Sequence, residues 1–198
     1  MLTLFHAPRT RSTRILWLLE EIGEPYAIEV VTIRRADGSG APDPRNPNPE
    51  KKVPALLHDG RLVTESAAIC LYLTDTFPGA KLGPGAGDAS RAEYLTWLFY
   101  YAGVVEPTLM LKLRGQTESD AEWKRAYEGM CARVGGALRE RSYLVGDRFS
   151  AADILMESAF QWGRASMPKG PGIDAYIERM SSRPARLRSF AKDGAPAA

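Results

Sequence analysis

Two short apolar runs flank the dipeptide Asp59-Gly60 in the segment PALLHDGRLVTE, residues 54–65. Asp-Gly is preferred in two-residue type I′ turns, because these turns need a positive φ at both central residues and their twist matches that of the paired strands. The segment therefore predicts a β-hairpin. A hairpin constrains the fold strongly, since it fixes two antiparallel strands and the register between them.

Before the hairpin, the sequence predicts a strand, a helix and a second strand. LTLFH (2–6) and YAIEVVTI (26–33) have strand composition. Between them, RILWLLEEIG (14–23) carries apolar residues at i, i+3, i+4 and i+7, which is one face of a helix. These residues are Ile15, Leu18, Leu19 and Ile22. We expect the second strand to return parallel to the first across this helix.

After the hairpin, SAAICLYLTDTF (66–77) predicts a second helix. The side chains expected to face inward are Ile69, Tyr72 and Leu73. PGAKLGPGAG (78–87) has the composition of a linker, and beyond it the periodic segments are helical. The sequence therefore predicts an α/β domain over residues 1–77 and an all-helical domain over 88–198.

Composition narrows the class of protein. The chain has 198 residues, 44% of them hydrophobic, which suits a globular protein of one or two domains. A net charge of +2 is too small to favour nucleic acid or an acidic membrane as a partner. Cys70 and Cys131 lie outside any CxxC motif, and neither His6 nor His58 has a metal-ligand spacing, so we expect no metal. The N-terminus lacks the pattern of a signal peptide and no segment is long enough to span a bilayer, so we expect a cytoplasmic protein.

Four motifs spread over nearly the whole chain resemble the glutathione transferase superfamily. They are NPEKKVPAL (48–56), VTESAAICLYL (63–73), GDRFSAADI (146–154) and SRPA (182–185). The segment APRTRSTRILWLLEEIG, around the first predicted helix, resembles a bacterial subgroup. The resemblance implies a thioredoxin-like N-terminal domain of βαβ-ββα order and a helical-bundle C-terminal domain. It also implies glutathione as co-substrate and a homodimer.

The resemblance assigns the segment before the hairpin to glutathione recognition. Lys52 would neutralise the glycyl carboxylate of glutathione. Lys51 stands where the family usually has glycine. The backbone of Val53, before a cis Pro54, would pair with the cysteinyl unit. From the residues alone, Pro54 could instead be a trans proline that starts a strand, and the two lysines a solvated pair.

Glu65 and Ser66 follow the hairpin where a strand gives way to a helix. The resemblance implies that Ser66 holds the α-carboxylate of the γ-glutamyl group and that Glu65 holds its ammonium group. A helix N-terminus suits such a carboxylate, because its free N–H groups and dipole favour an anion. The alternative is that Ser66 is an ordinary helix N-cap.

The thiol of glutathione must be held as thiolate, and family members use a Tyr, Ser or Cys between the first strand and the first helix. The segment RTRS (9–12) offers only hydroxyl groups and arginines. We rank Ser12 first and Thr10 second as the activating hydroxyl, with Arg11 as electrostatic support. The alternative is that Ser12 caps the helix and backbone groups alone activate the sulfur.

The aromatic run WLFYYAG (97–103) falls on the first long helix of the second domain, and most of such a stripe is core. The resemblance implies an electrophile site between the two domains, so part of this helix should face it. The candidates for contact with the electrophile are Phe99, Tyr100 and Met110, with Trp162 as a further one.

Ser150 and Asp153 have the spacing of a capping box, and Phe149 and Ile154 are placed as a hydrophobic staple. We interpret this motif as structural, since it would cap a buried helix of the second domain.

Together these features favour a glutathione transferase that adds the thiolate to a small apolar electrophile. A glutathione-dependent disulfide reductase, peroxidase or isomerase is the second hypothesis. A non-catalytic binding protein of the same fold is the third, and glutathione binding without turnover on any of several electrophiles would favour it.

Overall fold

Four strands make up the sheet of the computed structural model, which describes residues 1–194 of the chain. They are β1 (Leu2–His6), β2 (Tyr26–Val30), β3 (Ala55–His58) and β4 (Arg61–Thr64). The order across the sheet is β2-β1-β3-β4. As expected, β2 runs parallel to β1, whereas β3 is antiparallel to both β1 and β4. The strand expected over 26–33 ends earlier, at Val30.

The predicted hairpin is confirmed. His58 pairs with Arg61 across the turn. The two residues between them, Asp59 and Gly60, have φ angles of 48° and 79°. A type I′ turn requires a positive φ at both central residues. The dipeptide Asp59-Gly60 alone is therefore enough to predict this turn.

Two α-helices lie among and directly after the strands, and the other α-helices follow them along the chain. They are α1 (Ser12–Ile22), α2 (Ser66–Thr76), α3 (Arg91–Tyr100), α4 (Glu106–Leu113), α5 (Gln116–Ser119), α6 (Ala121–Ala137), α7 (Ala151–Gly163), α8 (Pro171–Ser181) and α9 (Pro184–Asp193). A short π-helical stretch, Tyr101–Val105, joins α3 to α4. The predicted thioredoxin-like order βαβ-ββα, followed by helices, is therefore confirmed.

The apolar face predicted for α1 is buried, with Ile15, Leu18 and Leu19 inaccessible to solvent. The helix ends at Gly23, whose φ of 79° turns the chain and whose N–H donates to Leu19 O at 3.0 Å. In α2, Ile69, Cys70 and Leu73 are fully buried. Burial raises the pKa of the Cys70 thiol to about 12.

The chain divides into two compact units, of which one combines Met1–Ala80 with the segment from Arg183 onward and the other is Lys81–Ser182. This division differs from the expected helical domain over 88–198, because α9 groups with the first unit. The reason is a set of ion pairs on α1, described below. The last four residues of the expected domain, 195–198, lie outside the described part of the chain.

Acidic residues at the end of α1 hold α9 in the first unit. Glu21 accepts two hydrogen bonds from Arg183, at 2.6 and 2.9 Å. Glu20 accepts from Arg188 at 2.9 Å and also pairs with Lys192. These charged hydrogen bonds let the Glu20 carboxylate remain ionised although it is largely buried.

In the second unit, the predicted capping box opens α7. The Asp153 carboxylate accepts from the Ser150 N–H at 2.9 Å and from the Ser150 hydroxyl at 3.0 Å. Both residues are buried. The motif therefore has the structural role that the sequence indicated. Within residues 1–194, no helix is long and apolar enough to cross a membrane.

Candidate active site

The segment before β3 carries the residues expected to pair with the cysteinyl unit. The Val53–Pro54 peptide bond is cis, as the resemblance implied. A buried asparagine, Asn46, holds this segment by hydrogen bonds. Its side chain donates to Lys52 O at 3.1 Å and accepts from Asn48 N at 3.0 Å. Asn46 is thus part of the framework of the site.

Two lysines precede Val53, and the structure separates their roles. Lys51 has a φ of 55°, in the left-handed region that favours glycine, which accounts for the glycine that the family usually has there. Its ammonium group donates to Asn46 O at 2.6 Å and thereby belongs to the loop. The Lys52 side chain is exposed and pairs with Glu50 at 3.1 Å, an exposed contact that a ligand carboxylate can replace.

Glu65 and Ser66 lie at the N-terminus of α2. Glu65 is exposed, with φ 65° and ψ 123°, and occupies the N-cap position, while Ser66 is the first helical residue. No side chain of the described chain caps this terminus. Ser66 is therefore not an ordinary N-cap. The first amides of α2 and the Ser66 hydroxyl form a group that suits an anion.

The loop between β1 and α1 contains the candidate hydroxyls, and Ser12 is its buried centre. Ser12 is inaccessible to solvent. Its Oγ lies 2.8 Å from His6 Nδ1 and 2.8 Å from Thr10 Oγ1, and it accepts the Ala7 N–H at 3.2 Å. The hydroxyl is thus engaged inside the first unit on several sides.

The partners of His6 fix its tautomer. Nε2 lies 3.2 Å from Asp193 O and 3.5 Å from Asp193 Oδ1. Both of these oxygens only accept, so Nε2 carries the proton and Nδ1 accepts from the Ser12 hydroxyl. Burial lowers the pKa of His6, an effect that the Asp193 carbonyl and carboxylate only partly offset, so the ring is neutral at neutral pH.

Thr10 lies nearer to solvent than Ser12, being only partly buried. Its hydroxyl donates to Ala7 O at 2.7 Å and accepts the Ser12 N–H at 3.2 Å. Arg11, the N-cap of α1, is exposed. Of the two hydroxyls, only that of Thr10 combines partial exposure with a proton not directed to His6.

The candidate residues for the electrophile all lie in the second unit. Phe99 on α3 is 62% exposed, and Met110 on α4 is partly buried. The Tyr100 ring lies under the Arg133 guanidinium, at 4.0 Å from its carbon to the ring centroid, and packs edge-on against Trp97. Tyr100 therefore has a packing role of its own.

Sequence reasoning missed three residues of this region. In the sequence, His6 has no partner at a metal-ligand spacing, Asn46 lies among prolines, and Asp193 belongs to none of the motifs. Asp193 lies 187 residues from His6 in the chain, so no local pattern could have joined them. Across the described residues, no group of three or more His, Cys, Asp or Glu side chains could hold a metal ion.

A thioredoxin-like sheet with a helical second unit defines the class of the fold, and comparison with known proteins gives the family. The family model for the glutathione S-transferase N-terminal domain matches residues 10–76, and that for the C-terminal domain matches residues 103–184. The chain belongs to the glutathione S-transferase superfamily, of bacterial type.

Individual relatives agree with this assignment. The chain is 31% identical over 195 residues to Protein LigF of Sphingobium sp. (strain NBRC 103272 / SYK-6), covering 73% of this chain and 76% of that protein. It is 27% identical over 197 residues to glutathione S-transferase GstA of Escherichia coli O157:H7, covering 96% and 98%. A solved sphingomonad glutathione S-transferase, complexed with glutathione, has a TM-score of 0.78 and 26% identity and covers 98% of this chain and 100% of that one.

Proposed function

We propose that this protein is a glutathione transferase that binds reduced glutathione on its first unit. The observation that carries this proposal is the N-terminus of α2, where Ser66 and uncapped amides stand beside the exposed carboxylate of Glu65. An anion-binding group next to an acid matches the carboxylate and ammonium of an amino-acid end group. The relative solved with glutathione supports the same ligand.

The remaining contacts follow from the same placement. The backbone N–H and C=O of Val53, beside Pro54, would form hydrogen bonds with the backbone of the cysteinyl unit. Lys52, which is exposed and makes only a surface ion pair with Glu50, would bind the glycyl carboxylate. The three parts of the tripeptide then meet two places in the first unit, the segment before β3 and the N-terminus of α2.

The thiolate would form at the β1–α1 loop. A free thiol has a pKa of about 8.5, so the site must favour the anion. We assign the hydroxyl that donates to sulfur to Thr10. The Ser12 proton is directed to the buried His6 Nδ1 at 2.8 Å, whereas the Thr10 hydroxyl is only partly buried and can turn its proton from Ala7 O to the sulfur. The exposed guanidinium of Arg11 and the N-terminus of α1 add positive potential there. Ser12 then supports the loop from within.

In the proposed reaction the thiol proton leaves to solvent and the sulfur attacks an electrophilic carbon of an apolar substrate. An S–C bond forms while a leaving group departs with its electron pair, or the electrons move into a conjugated acceptor that is then protonated. Binding both reactants supplies proximity and orientation. Phe99, Tyr100 and Met110 are the proposed contacts of the electrophile. We further propose a cytoplasmic homodimer.

A panel of reactions at saturating glutathione tests this function. The panel contains an aryl halide, an organic peroxide, a mixed disulfide and an unsaturated keto acid, with glutathione binding measured separately by calorimetry. Turnover of the aryl halide is the expected result. Turnover of the disulfide or peroxide alone would favour the reductase or peroxidase hypothesis. Binding without any turnover would favour a non-catalytic binding protein.

A further inference from the structure

Asp193, the last residue of α9, contacts three residues in and beside the region that joins β1 to α1. Its Oδ2 accepts the Arg9 N–H at 3.0 Å, and its Oδ1 accepts the Thr13 hydroxyl. Its backbone oxygen lies 3.2 Å from His6 Nε2. Asp193, near the C-terminus, therefore contacts this region on both sides of Thr10, at Arg9 and at Thr13.

The contact with His6 continues into the loop through side chains. His6 Nε2 donates toward Asp193, its Nδ1 accepts from Ser12, and the Ser12 oxygen lies 2.8 Å from Thr10 Oγ1. Because His6 and Ser12 are buried, no water competes for these hydrogen bonds. The chain of contacts leads from Asp193 to the hydroxyl that we assign to the sulfur.

The contact with Arg9 holds this residue in the left-handed backbone conformation, which residues with a Cβ atom disfavour. Arg9 has a φ of 56°, in the left-handed region. Its N–H points to a carboxylate oxygen whose side chain is only 10% exposed. A charged acceptor in such a place holds the turn that leads into Thr10 and α1.

We propose that Asp193 is a positioning residue for the reaction: it holds the β1–α1 loop in the geometry that presents the Thr10 hydroxyl to the glutathione sulfur. The proposal rests on the proposed function for its consequence, but not for the structural relation itself. α9 then does more than complete the first unit, because its final carboxylate sets the reactivity of the bound thiol.

The test compares Asp193→Ala and Asp193→Asn with the matched control Arg188→Met. Arg188 lies on the same helix and donates to Glu20 at 2.9 Å, so its loss loosens α9 without touching the loop. For each protein, kcat with an aryl halide, glutathione affinity, the thiolate titration of bound glutathione by ultraviolet absorbance, thermal stability and hydrogen exchange of the Arg9 amide are measured. Asp193→Asn keeps one accepting oxygen and guards against a misfolded alanine variant.

For Asp193→Ala we expect kcat to fall roughly tenfold to a hundredfold, the bound thiol to titrate at higher pH, and glutathione affinity to stay within about threefold. Arg9 amide exchange should become at least roughly tenfold faster. The kcat, the thiol titration and the Arg9 amide exchange of Asp193→Asn should be intermediate between those of Asp193→Ala and the wild type. Arg188→Met should lower only thermal stability.

Two results would overturn the inference: wild-type kcat, thiol titration and Arg9 exchange in both Asp193 variants, or equal changes in Arg188→Met. If the wild type fails to bind glutathione, the proposed function fails instead. Arg9 exchange in the free proteins then decides alone whether Asp193 holds the loop, with faster exchange in the Asp193 variants supporting it and unchanged exchange refuting it.

Discussion

The hydroxyl oxygen of Ser12 lies 2.8 Å from Nδ1 of His6, and both side chains are buried. Because Nε2 of the same ring faces only oxygen acceptors of Asp193, the Ser12 hydroxyl is the donor in this pair. A hydroxyl group has one proton, and that of Ser12 is held by a buried acceptor. The Thr10 proton is directed to Ala7 O, but this hydroxyl is only partly buried and can turn toward a thiolate. This relationship changes the order in which the sequence ranked Ser12 and Thr10.

We therefore expect Thr10→Val to impair catalysis more than Ser12→Ala. Loss of the Thr10 hydroxyl should raise the pKa of the bound thiol by about one and lower kcat at neutral pH roughly tenfold, with little change in stability. Ser12→Ala leaves His6 Nδ1 without its buried donor and should lower the free energy of unfolding by about 2 kcal/mol. Thiolate absorbance against pH and urea unfolding measure the two effects.

The control for Thr10→Val is Thr96→Val on α3, where an exposed hydroxyl donates to Ala92 O at 2.8 Å. This variant should leave the thiol titration unchanged. If Ser12→Ala raises the thiol pKa and Thr10→Val does not, the original ranking of Ser12 is right. If neither moves it, backbone groups alone activate the sulfur.

Ser66→Ala should weaken glutathione binding roughly tenfold, because it removes a hydrogen bond to a charged group. Calorimetry with glutathione and with the dipeptide cysteinylglycine, which lacks the γ-glutamyl group, locates the effect. The substitution should not change affinity for the dipeptide, since Ser66 has no partner in it. Equal losses for both ligands would place Ser66 away from the γ-glutamyl group. Ser119→Ala, at an exposed serine of α5, is the control.

Glu65→Gln should behave in the same way toward the ammonium group. We expect glutathione to bind about tenfold more weakly, and more so at low salt, because an ion pair is lost. Glu24→Gln, at an exposed position of the same unit, controls for net charge. Unchanged affinity in Glu65→Gln would show that the ammonium group binds elsewhere.

The backbone of Lys51 predicts an unusual order of stabilities. With φ at 55°, a residue without Cβ is favoured. Lys51→Gly and Lys51→Ala both lose the ammonium contact with Asn46 O, so their difference reports the backbone alone. The glycine variant should be more stable by about 1 kcal/mol in urea unfolding. The same pair at Lys124, inside α6, should show the opposite order. A more stable alanine at position 51 would contradict the positive φ.

Much of the fold could be predicted because its signals are local. Asp59-Gly60 specifies its turn through two φ angles, and Ser150 and Asp153 specify their capping box through a spacing of three residues. Glu65 and Ser66 lie directly after the hairpin, but their role as glutathione ligands is implied by the family resemblance of VTESAAICLYL and stays a prediction.

The centre of the site could not be predicted, because it depends on contacts distant in sequence. The proton of Ser12 is committed by His6, whose tautomer is set by Asp193. Asp193 is carried there by α9, which pairs with Glu20 and Glu21 on α1. The contacts of Asp193 with His6 and of α9 with α1 join segments more than half the chain apart. A hydroxyl in the sequence also carries no mark of where its proton points.

Asp153 has an environment with opposing effects on its ionisation. It is inaccessible to solvent, and its carboxylate accepts from Leu144 N at 2.9 Å and from the N–H and hydroxyl of Ser150. Burial raises its pKa from 3.8 to about 6, although these hydrogen bonds and one from Tyr176 act in the other direction. Desolvation of the charge therefore outweighs the donors around it.

This balance predicts how stability depends on pH. Between pH 3.8 and about 6 the unfolded chain releases the Asp153 proton while the folded chain keeps it, so rising pH favours unfolding. Asp153→Asn cannot titrate and loses an acceptor, so it should be less stable than the wild type at pH 4. This gap in the free energy of unfolding should narrow by on the order of 2–3 kcal/mol as pH rises to about 6. Urea unfolding at several pH values measures it, with Asp174→Asn, at an exposed residue of α8, as control. A gap that widens with pH would mean that the hydrogen bonds hold the pKa of Asp153 below 3.8.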